Sequence, residues 1–121
     1  MKSVRAVIAS GAVAALLLIQ PVTADASVPT VAEAKAYAKR VLGSRQYACL
    51  NNIVMRESHW NPLAHNRWSG AHGIPQAVPG SKMGPGWQND PMVQTRWMLR
   101  YVNKYGGACG AWTFWQRHGW Y

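Results

Sequence analysis

The stretch from residue 62 to residue 86 restricts the possible folds most, because glycine and proline interrupt it at short intervals. These residues include Pro62, Gly70, Gly73, Pro75, Pro79, Gly80, Pro85 and Gly86. Such a density favours turns or a small hairpin over long regular elements. The interleaved Trp60, Trp68 and Trp87 argue against disorder, since disordered segments are poor in aromatic residues. Long irregular segments in compact domains are usually functional loops, so the sequence predicts such a loop here.

Two helical patterns precede this loop. Thr30 and Glu33 have the spacing of a capping box, in which each side chain satisfies a free backbone N–H of the other residue. The helix that they start is expected to end at Gly43, which favours the left-handed conformation of a helix terminus. A second helix is predicted over residues 45–58.

Two further helical patterns follow the loop. Asp90 is placed to cap a helix that has Pro91 at its first position, where the missing N–H of proline costs nothing. This helix is expected to continue to about Tyr105, and the aromatic tail over residues 109–121 is expected to be partly helical. The patterns together predict a mainly α-helical fold with one long irregular loop or small hairpin.

The N-terminal residues have the form of a secretory signal peptide. Lys2 and Arg5 give a basic start, an apolar run covers residues 6–19, and Ala-Asp-Ala follows as a cleavage sequence. We therefore expect residues 1–26 to be removed and residues 27–121 to form one secreted domain, without stable membrane insertion after cleavage. An uncleaved membrane anchor is the alternative.

Two cysteines, Cys49 and Cys109, lie in the predicted mature domain. Export would take them to a compartment where disulfides persist, so their even number predicts a bridge. Two unpaired buried thiols are the alternative. A bridge closing about 60 residues stabilises by roughly 4 kcal/mol in the chain-entropy account.

The chain is strongly basic, with a formal net charge of +9. A secreted protein of this charge is attracted to anionic polymers, which include cell-wall glycans, anionic lipids and nucleic acids. No nucleic-acid-binding motif is present, so nucleic acid is not the expected partner. The four histidines lack the i, i+4 arrangement of a zinc helix, and we predict no metal and a monomer.

Glu57 is the acidic residue with no evident structural role. The chain has four acidic residues, and Asp25 lies in the predicted signal peptide. Helix capping accounts for Glu33 and Asp90. Most glycosidases use two carboxylates, so one unassigned carboxylate favours a mechanism in which a single residue acts as acid and then as base.

The helical period places Glu57 on an apolar face. Leu50, Ile53, Val54 and Glu57 fall at i, i+3, i+4 and i+7, so their side chains share one side of the second helix. A carboxyl group at the border of a core is partly desolvated, which raises its pKa. General acids need that property near neutral pH.

The residues around Glu57 match a known signature, namely Glu57-Ser58, Pro62, Ala64, Gly70-Ala71, Gly73, Gln76 and Pro79-Gly80-Ser81. This pattern resembles that of the lytic transglycosylases, the lysozyme-like SLT group. It most resembles small secreted actinobacterial or phage-tail members, which share a similar Gly-Ile-Pro-Gln-Ala run and a Gly-Trp-Tyr ending. The resemblance implies a lysozyme-like fold and peptidoglycan as the partner. It implies cleavage of the β-1,4 bond between N-acetylmuramic acid and N-acetylglucosamine to 1,6-anhydromuramoyl ends, without cofactor.

The same resemblance implies roles for individual residues. Glu57 is the expected catalytic acid, and Ser58 and Gln76 are expected to contact the glycan. Asn66 stands where the pattern usually has Ser and is expected to bind substrate. The motif Ala-Tyr-Asn, whose Tyr usually lies near the acid, is here Ala-Trp-Thr, so Trp112 is expected at that place.

Trp60 is a further candidate for substrate binding, because exposed tryptophan rings stack on sugar faces. The seven tryptophans would otherwise be core residues.

The sequence is also compatible with two other functions. One is a hydrolytic muramidase in which Asp90 serves as the second carboxylate. The other is a cationic, tryptophan-rich protein that binds the cell wall without turnover.

Overall fold

A long bent helix opens the part of the chain that the computed structural model describes, residues 27–121. The predicted signal peptide lies outside the described residues. Helix α1 spans Val31–Glu57. It begins with the predicted capping box, in which the Glu33 N–H donates to Thr30 Oγ1 at 3.1 Å and the Thr30 N–H donates to Glu33 Oε1 at 2.7 Å. Gly43 interrupts the helix at φ 81° and ψ 164°, so the two predicted helices are confirmed as two segments of one bent element.

The glycine- and proline-rich segment after α1 is built from turns. Isolated antiparallel bridges pair His72 with His65 and with Ala77, and a short 3₁₀ helix covers Gly80–Met83. Between residues 58 and 90 these isolated bridges do not extend into β-strands. The predicted irregular loop is therefore confirmed, and the hairpin is reduced to these bridges.

The C-terminal half contributes two more α-helices. Helix α2 spans Pro91–Tyr101, and the Asp90 carboxylate caps it by accepting from the Met92 and Val93 N–H groups at 2.9 and 3.3 Å. A 3₁₀ turn over Val102–Tyr105 follows, so the α-helix itself ends four residues earlier than predicted. Helix α3 spans Ala108–His118.

The core lies where α1 meets α2 and α3. Its fully buried members include Ala38, Leu50, Ile53, Val54, Ile74, Met98, Val102, Ala108 and Ala111. The predicted disulfide between Cys49 and Cys109 is confirmed, with the two Cα atoms 4.9 Å apart. It fixes the start of α3 against the second segment of α1. The N-terminal end of α3 also donates a hydrogen bond to α1, from the Cys109 N–H to Gln46 Oε1 at 2.9 Å.

Gln94 of α2 fastens the long loop to this core. Its fully buried side chain accepts from the Ile74 N–H at 2.9 Å. The amide Nε2 donates to the Pro62 carbonyl at 2.9 Å and to the Trp87 carbonyl at 2.8 Å. One side chain therefore connects three separate points of the loop to α2.

The described residues form a mainly helical protein, which confirms the predicted fold class at that level. No helix in residues 27–121 is long and apolar enough to cross a membrane.

Candidate active site

Glu57 lies at the last position of α1, where the helix leaves the core and the loop begins. Leu50, Ile53 and Val54 on the same face are fully buried, and Glu57 is half-buried. The Trp115 indole N–H donates to Glu57 Oε2 at 2.7 Å. The carboxyl group is thus held at the border of the core in one orientation, as its place on the apolar stripe predicted.

Burial is the larger influence on the titration of this carboxyl group. Desolvation raises the pKa of Glu57 because it disfavours the charged form, and the hydrogen bond from Trp115 lowers it by a smaller amount. The net effect is a carboxyl group that keeps its proton to higher pH than an exposed glutamate.

Trp115 reaches Glu57 because α3 is fixed against α1. The disulfide and the Gln46–Cys109 hydrogen bond position the start of α3, and the small residue Ala111 is buried in the interface. Trp115 follows Ala111 by about one helical turn, so it lies on the same side of α3. The hydrogen-bonded neighbour of the acid is therefore Trp115, three residues after the predicted Trp112.

Tyr121 places a phenol near the same carboxyl group. Burial raises the pKa of Tyr121 well above its ordinary value, and the nearby negative charge of Glu57 raises it further. The Tyr121 hydroxyl donates to the Pro75 carbonyl at 2.9 Å. Its backbone carbonyl accepts from the Tyr101 hydroxyl at 3.1 Å. The ring is thus a neutral hydrogen-bond donor fixed between α2 and the loop.

Sequence analysis did not assign Tyr121 to the site. The only pattern that included Tyr121 was the Gly-Trp-Tyr ending, which resembles the family pattern but implied no role for this residue in the site. Gly119 adopts the left-handed conformation at φ 78° and ends α3, and Tyr121 lies just beyond it.

Ser58 and Gln76 hold the loop against α1. The buried Ser58 hydroxyl donates to the Ile74 carbonyl at 2.7 Å. Gln76 has a left-handed backbone at φ 55°, which is uncommon for a residue with a side chain. Its amide Nε2 donates to the Ala64 and Gly73 carbonyls at 3.1 and 3.0 Å. These contacts give both residues a bracing role, and their contact with a glycan stays a prediction.

Asn66 shapes the outer part of the loop. Its side-chain oxygen accepts from the Trp68 and Ser69 N–H groups at 2.9 and 3.1 Å, which makes a compact turn. Asn66 is exposed, and substrate binding there stays a prediction.

The two tryptophans predicted to bind substrate lie in different environments. Trp60 is only 3% exposed and donates to Asn51 Oδ1 at 2.7 Å, which argues against stacking on a sugar. Trp112 is partly exposed and stacks on Trp115, with ring centroids 5.7 Å apart. The Arg56 guanidinium lies 4.8 Å from the Trp112 ring centroid. Trp112 therefore supports Trp115 and leaves the direct contact with the acid to it.

A pair of histidines holds the two arms of the loop together. His65 Nδ1 and His72 Nδ1 are 3.0 Å apart, and His72 Nε2 lies 2.8 Å from the Gln88 carbonyl oxygen. Because a carbonyl only accepts, His72 carries its proton on Nε2, and His65 donates to His72 Nδ1 when both rings are neutral. Residues 27–121 contain no group of three or more His, Cys, Asp or Glu side chains able to hold a metal ion.

Comparison with known proteins gives no relative for this chain. No protein-family model, no curated protein and no solved structure matches it.

Proposed function

We propose that this protein is a secreted lytic transglycosylase with a lysozyme-like fold, which cleaves peptidoglycan and uses Glu57 as its only acid and base. The observation that carries the proposal is the half-buried Glu57 carboxyl group at the edge of a glycine-rich loop, with its pKa raised by burial. The family signature in the sequence supplies the substrate. The strongly basic composition agrees with an anionic wall polymer as the partner.

The proposed reaction needs one proton-transferring group. Protonated Glu57 gives its proton to the glycosidic oxygen as the bond from that oxygen to C1 of N-acetylmuramic acid breaks. The oxygen of the C6 hydroxyl on the same sugar then bonds to C1, and its proton returns to the Glu57 carboxylate. The products are a free 4-hydroxyl on N-acetylglucosamine and a 1,6-anhydro ring, and no water is consumed.

The neighbours of Glu57 suit both halves of this cycle. Burial favours the protonated carboxyl group that must donate first. The Trp115 N–H at 2.7 Å stabilises the carboxylate that remains after donation. Tyr121 places a phenol near the acid, which is the kind of neighbour that the family motif provides at the position occupied here by Trp112.

The other two carboxylate side chains in residues 27–121 are already hydrogen-bonded at helix starts, which argues against a two-carboxylate mechanism. Asp90 accepts two backbone N–H groups at the start of α2, and Glu33 completes the capping box of α1. These contacts favour the transglycosylase over the muramidase in which Asp90 would be the second acid.

Digestion of purified sacculi, analysed by mass spectrometry, tests the proposal. The wild-type protein should release muropeptides with anhydro ends, one water lighter than the hydrolytic products. Glu57→Gln should reduce the release rate by roughly 10²–10⁴-fold, the usual contribution of a general acid. Glu33→Gln is the matched control, because Gln also fits the capping box, and it should cleave at the wild-type rate.

The variant Asp90→Asn distinguishes the transglycosylase from the rival muramidase. Asn caps helices about as well as Asp, so this variant should fold and keep full activity if Asp90 is only a cap. Reducing ends together with an inactive Asp90→Asn variant would establish the muramidase instead. Wall binding without any muropeptide release would establish the non-catalytic protein.

A further inference from the structure

A cavity of about 150 Å³ lies next to the candidate active site. It is lined by Pro75, Gln76, Ala77, Val78, Lys82, Trp97, Tyr101 and Tyr121. Hydrogen bonds connect it to the acid: Tyr121 and Pro75 both line the cavity and are hydrogen-bonded to each other, and the carbonyl of Ile74, just before Pro75, accepts from Ser58, the residue after Glu57. A molecule whose reacting bond lies at Glu57 would therefore have a neighbouring group within reach of this cavity.

One charged side chain lines the cavity, and it is positive. Lys82 is the only charged residue among the lining residues. The three carboxylate side chains of residues 27–121 are engaged elsewhere, by two helix caps and by Trp115. The ammonium group of Lys82 therefore has no carboxylate side chain as a partner within the cavity.

The remaining walls offer hydrogen bonds and one flat surface. The Gln76 amide uses its nitrogen for two loop carbonyls, so its oxygen keeps capacity as an acceptor. Trp97 and Tyr101 stack with ring centroids 4.7 Å apart and an interplanar angle of 21°. These walls suit a short polar arm that carries an anionic group and some apolar surface.

The turn that carries Lys82 is fixed to the body of the protein. Met83 in the same 3₁₀ turn is buried. At Gly80, an added Cβ would lie 2.6 Å from the Trp87 ring, so the backbone packs directly on that ring. Lys82 is exposed at the cavity rim, and its backbone has little freedom to move away.

We propose that this cavity binds the carboxylate-bearing side arm of the muramoyl sugar, with Lys82 as the residue that recognises the anionic group. The inference rests on the proposed function. A cavity of about 150 Å³ suits such an arm. Two sources share this chemistry, the lactyl carboxylate of a glycan without peptide and a carboxylate of the attached peptide stem. Lys82 thereby selects muramoyl glycans over neutral chitin-type oligosaccharides.

Binding titrations in the Glu57→Gln background test the inference without turnover. The three probes are N-acetylchitotetraose, a muramoyl tetrasaccharide without peptide, and the same tetrasaccharide with its peptide stems. Lys82→Met should weaken binding of at least one muramoyl probe by about 5-fold, which is the upper range for an exposed ion pair. Binding of chitotetraose should not change. Lys82→Arg should restore most of the lost affinity, and Lys39→Met, at an exposed lysine of α1 outside the cavity, is the control.

The probes also identify the anionic group. Loss of affinity for the peptide-free probe assigns the lactyl carboxylate, and loss confined to the peptide-bearing probe assigns the stem. An equal loss for all three probes, or no loss for any, overturns the role of Lys82. If the wild-type protein still releases muropeptides in that case, the proposed function survives. If it neither releases muropeptides nor binds any probe, both proposals fail together.

Discussion

Replacement of Gln94 tests quantitatively how the loop beside Glu57 is held. In Gln94→Leu, a side chain of similar size removes both the acceptor and the donors of the amide. The Ile74 N–H and the carbonyls of Pro62 and Trp87 then lose their partners, at distances that are now 2.8–2.9 Å. Leu fills most of the space, so the expected loss comes from unsatisfied polar groups rather than from a cavity.

The size of the effect follows from these three groups. A buried donor or acceptor left without a partner costs about 1–3 kcal/mol. Water reaches the two partly buried carbonyls more easily than the fully buried Ile74 N–H, so we take values near the lower end. The expected decrease in the free energy of unfolding is about 3–5 kcal/mol, a large share of the roughly 5–15 kcal/mol typical of a domain.

Urea denaturation followed by tryptophan fluorescence measures this loss. Gln116→Leu, at an exposed position of α3, is the matched control and should change the free energy of unfolding by less than about 0.5 kcal/mol. Muropeptide release by Gln94→Leu should fall by more than the folded fraction explains, because Gln76 and Pro75 follow the Ile74 anchor. A loss within 1 kcal/mol of the control would refute the role of Gln94 as the anchor of the loop.

Gly73→Ala tests the contact between the loop and Gln94 from the loop side. The new Cβ would lie 2.6 Å from Gln94 Cδ, and the backbone at φ 78° is strained for any residue with a side chain. The left-handed conformation alone costs roughly 1–2 kcal/mol, so the variant should be destabilised by at least that amount in the same urea assay. Wild-type stability would show that the loop moves freely relative to α2.

Two further predictions concern the acid and the bridge. Trp115→Phe removes the hydrogen bond that lowers the pKa of Glu57, so the pKa of Glu57 should rise. Because Glu57 must be protonated at the start of the reaction, the loss of activity at high pH should move to higher pH in a pH–rate profile. An unchanged profile would contradict the contact. Reduction of the Cys49–Cys109 bridge should lower the free energy of unfolding by about 4 kcal/mol, measured by urea denaturation with and without reductant. Equal stability with both thiols demonstrably free would refute that estimate.

Local patterns in the sequence predicted the helix starts correctly. The contacts of Thr30 with Glu33 and of Asp90 with the start of α2 join residues two or three positions apart. Such caps depend on a few neighbouring residues and on little else. The helical period likewise placed Glu57 on the buried face of α1, because side chains at i, i+3, i+4 and i+7 share a side in any helix.

Contacts between distant residues were less predictable. Trp112 and Trp115 share one face of α3 and stack on each other, so the sequence alone cannot decide which one meets the acid. That choice depends on the position of α3 along α1, and the disulfide and the Gln46–Cys109 hydrogen bond fix this position. Trp60 was a candidate for substrate binding, and it lies in the core instead, where Tyr47 stacks on it.

The amino-acid sequence by itself determined the helical fold class, the pairing of the two cysteines and the acid at the end of α1. Tertiary packing alone decided that Trp115 holds the carboxyl group, that Tyr121 lies beside it and that Gln94 anchors the loop. The physical reason is distance along the chain: Trp115 and Glu57 are 58 residues apart, and no local preference of either residue encodes their meeting. Only the relative position of packed helices brings such groups within hydrogen-bonding distance.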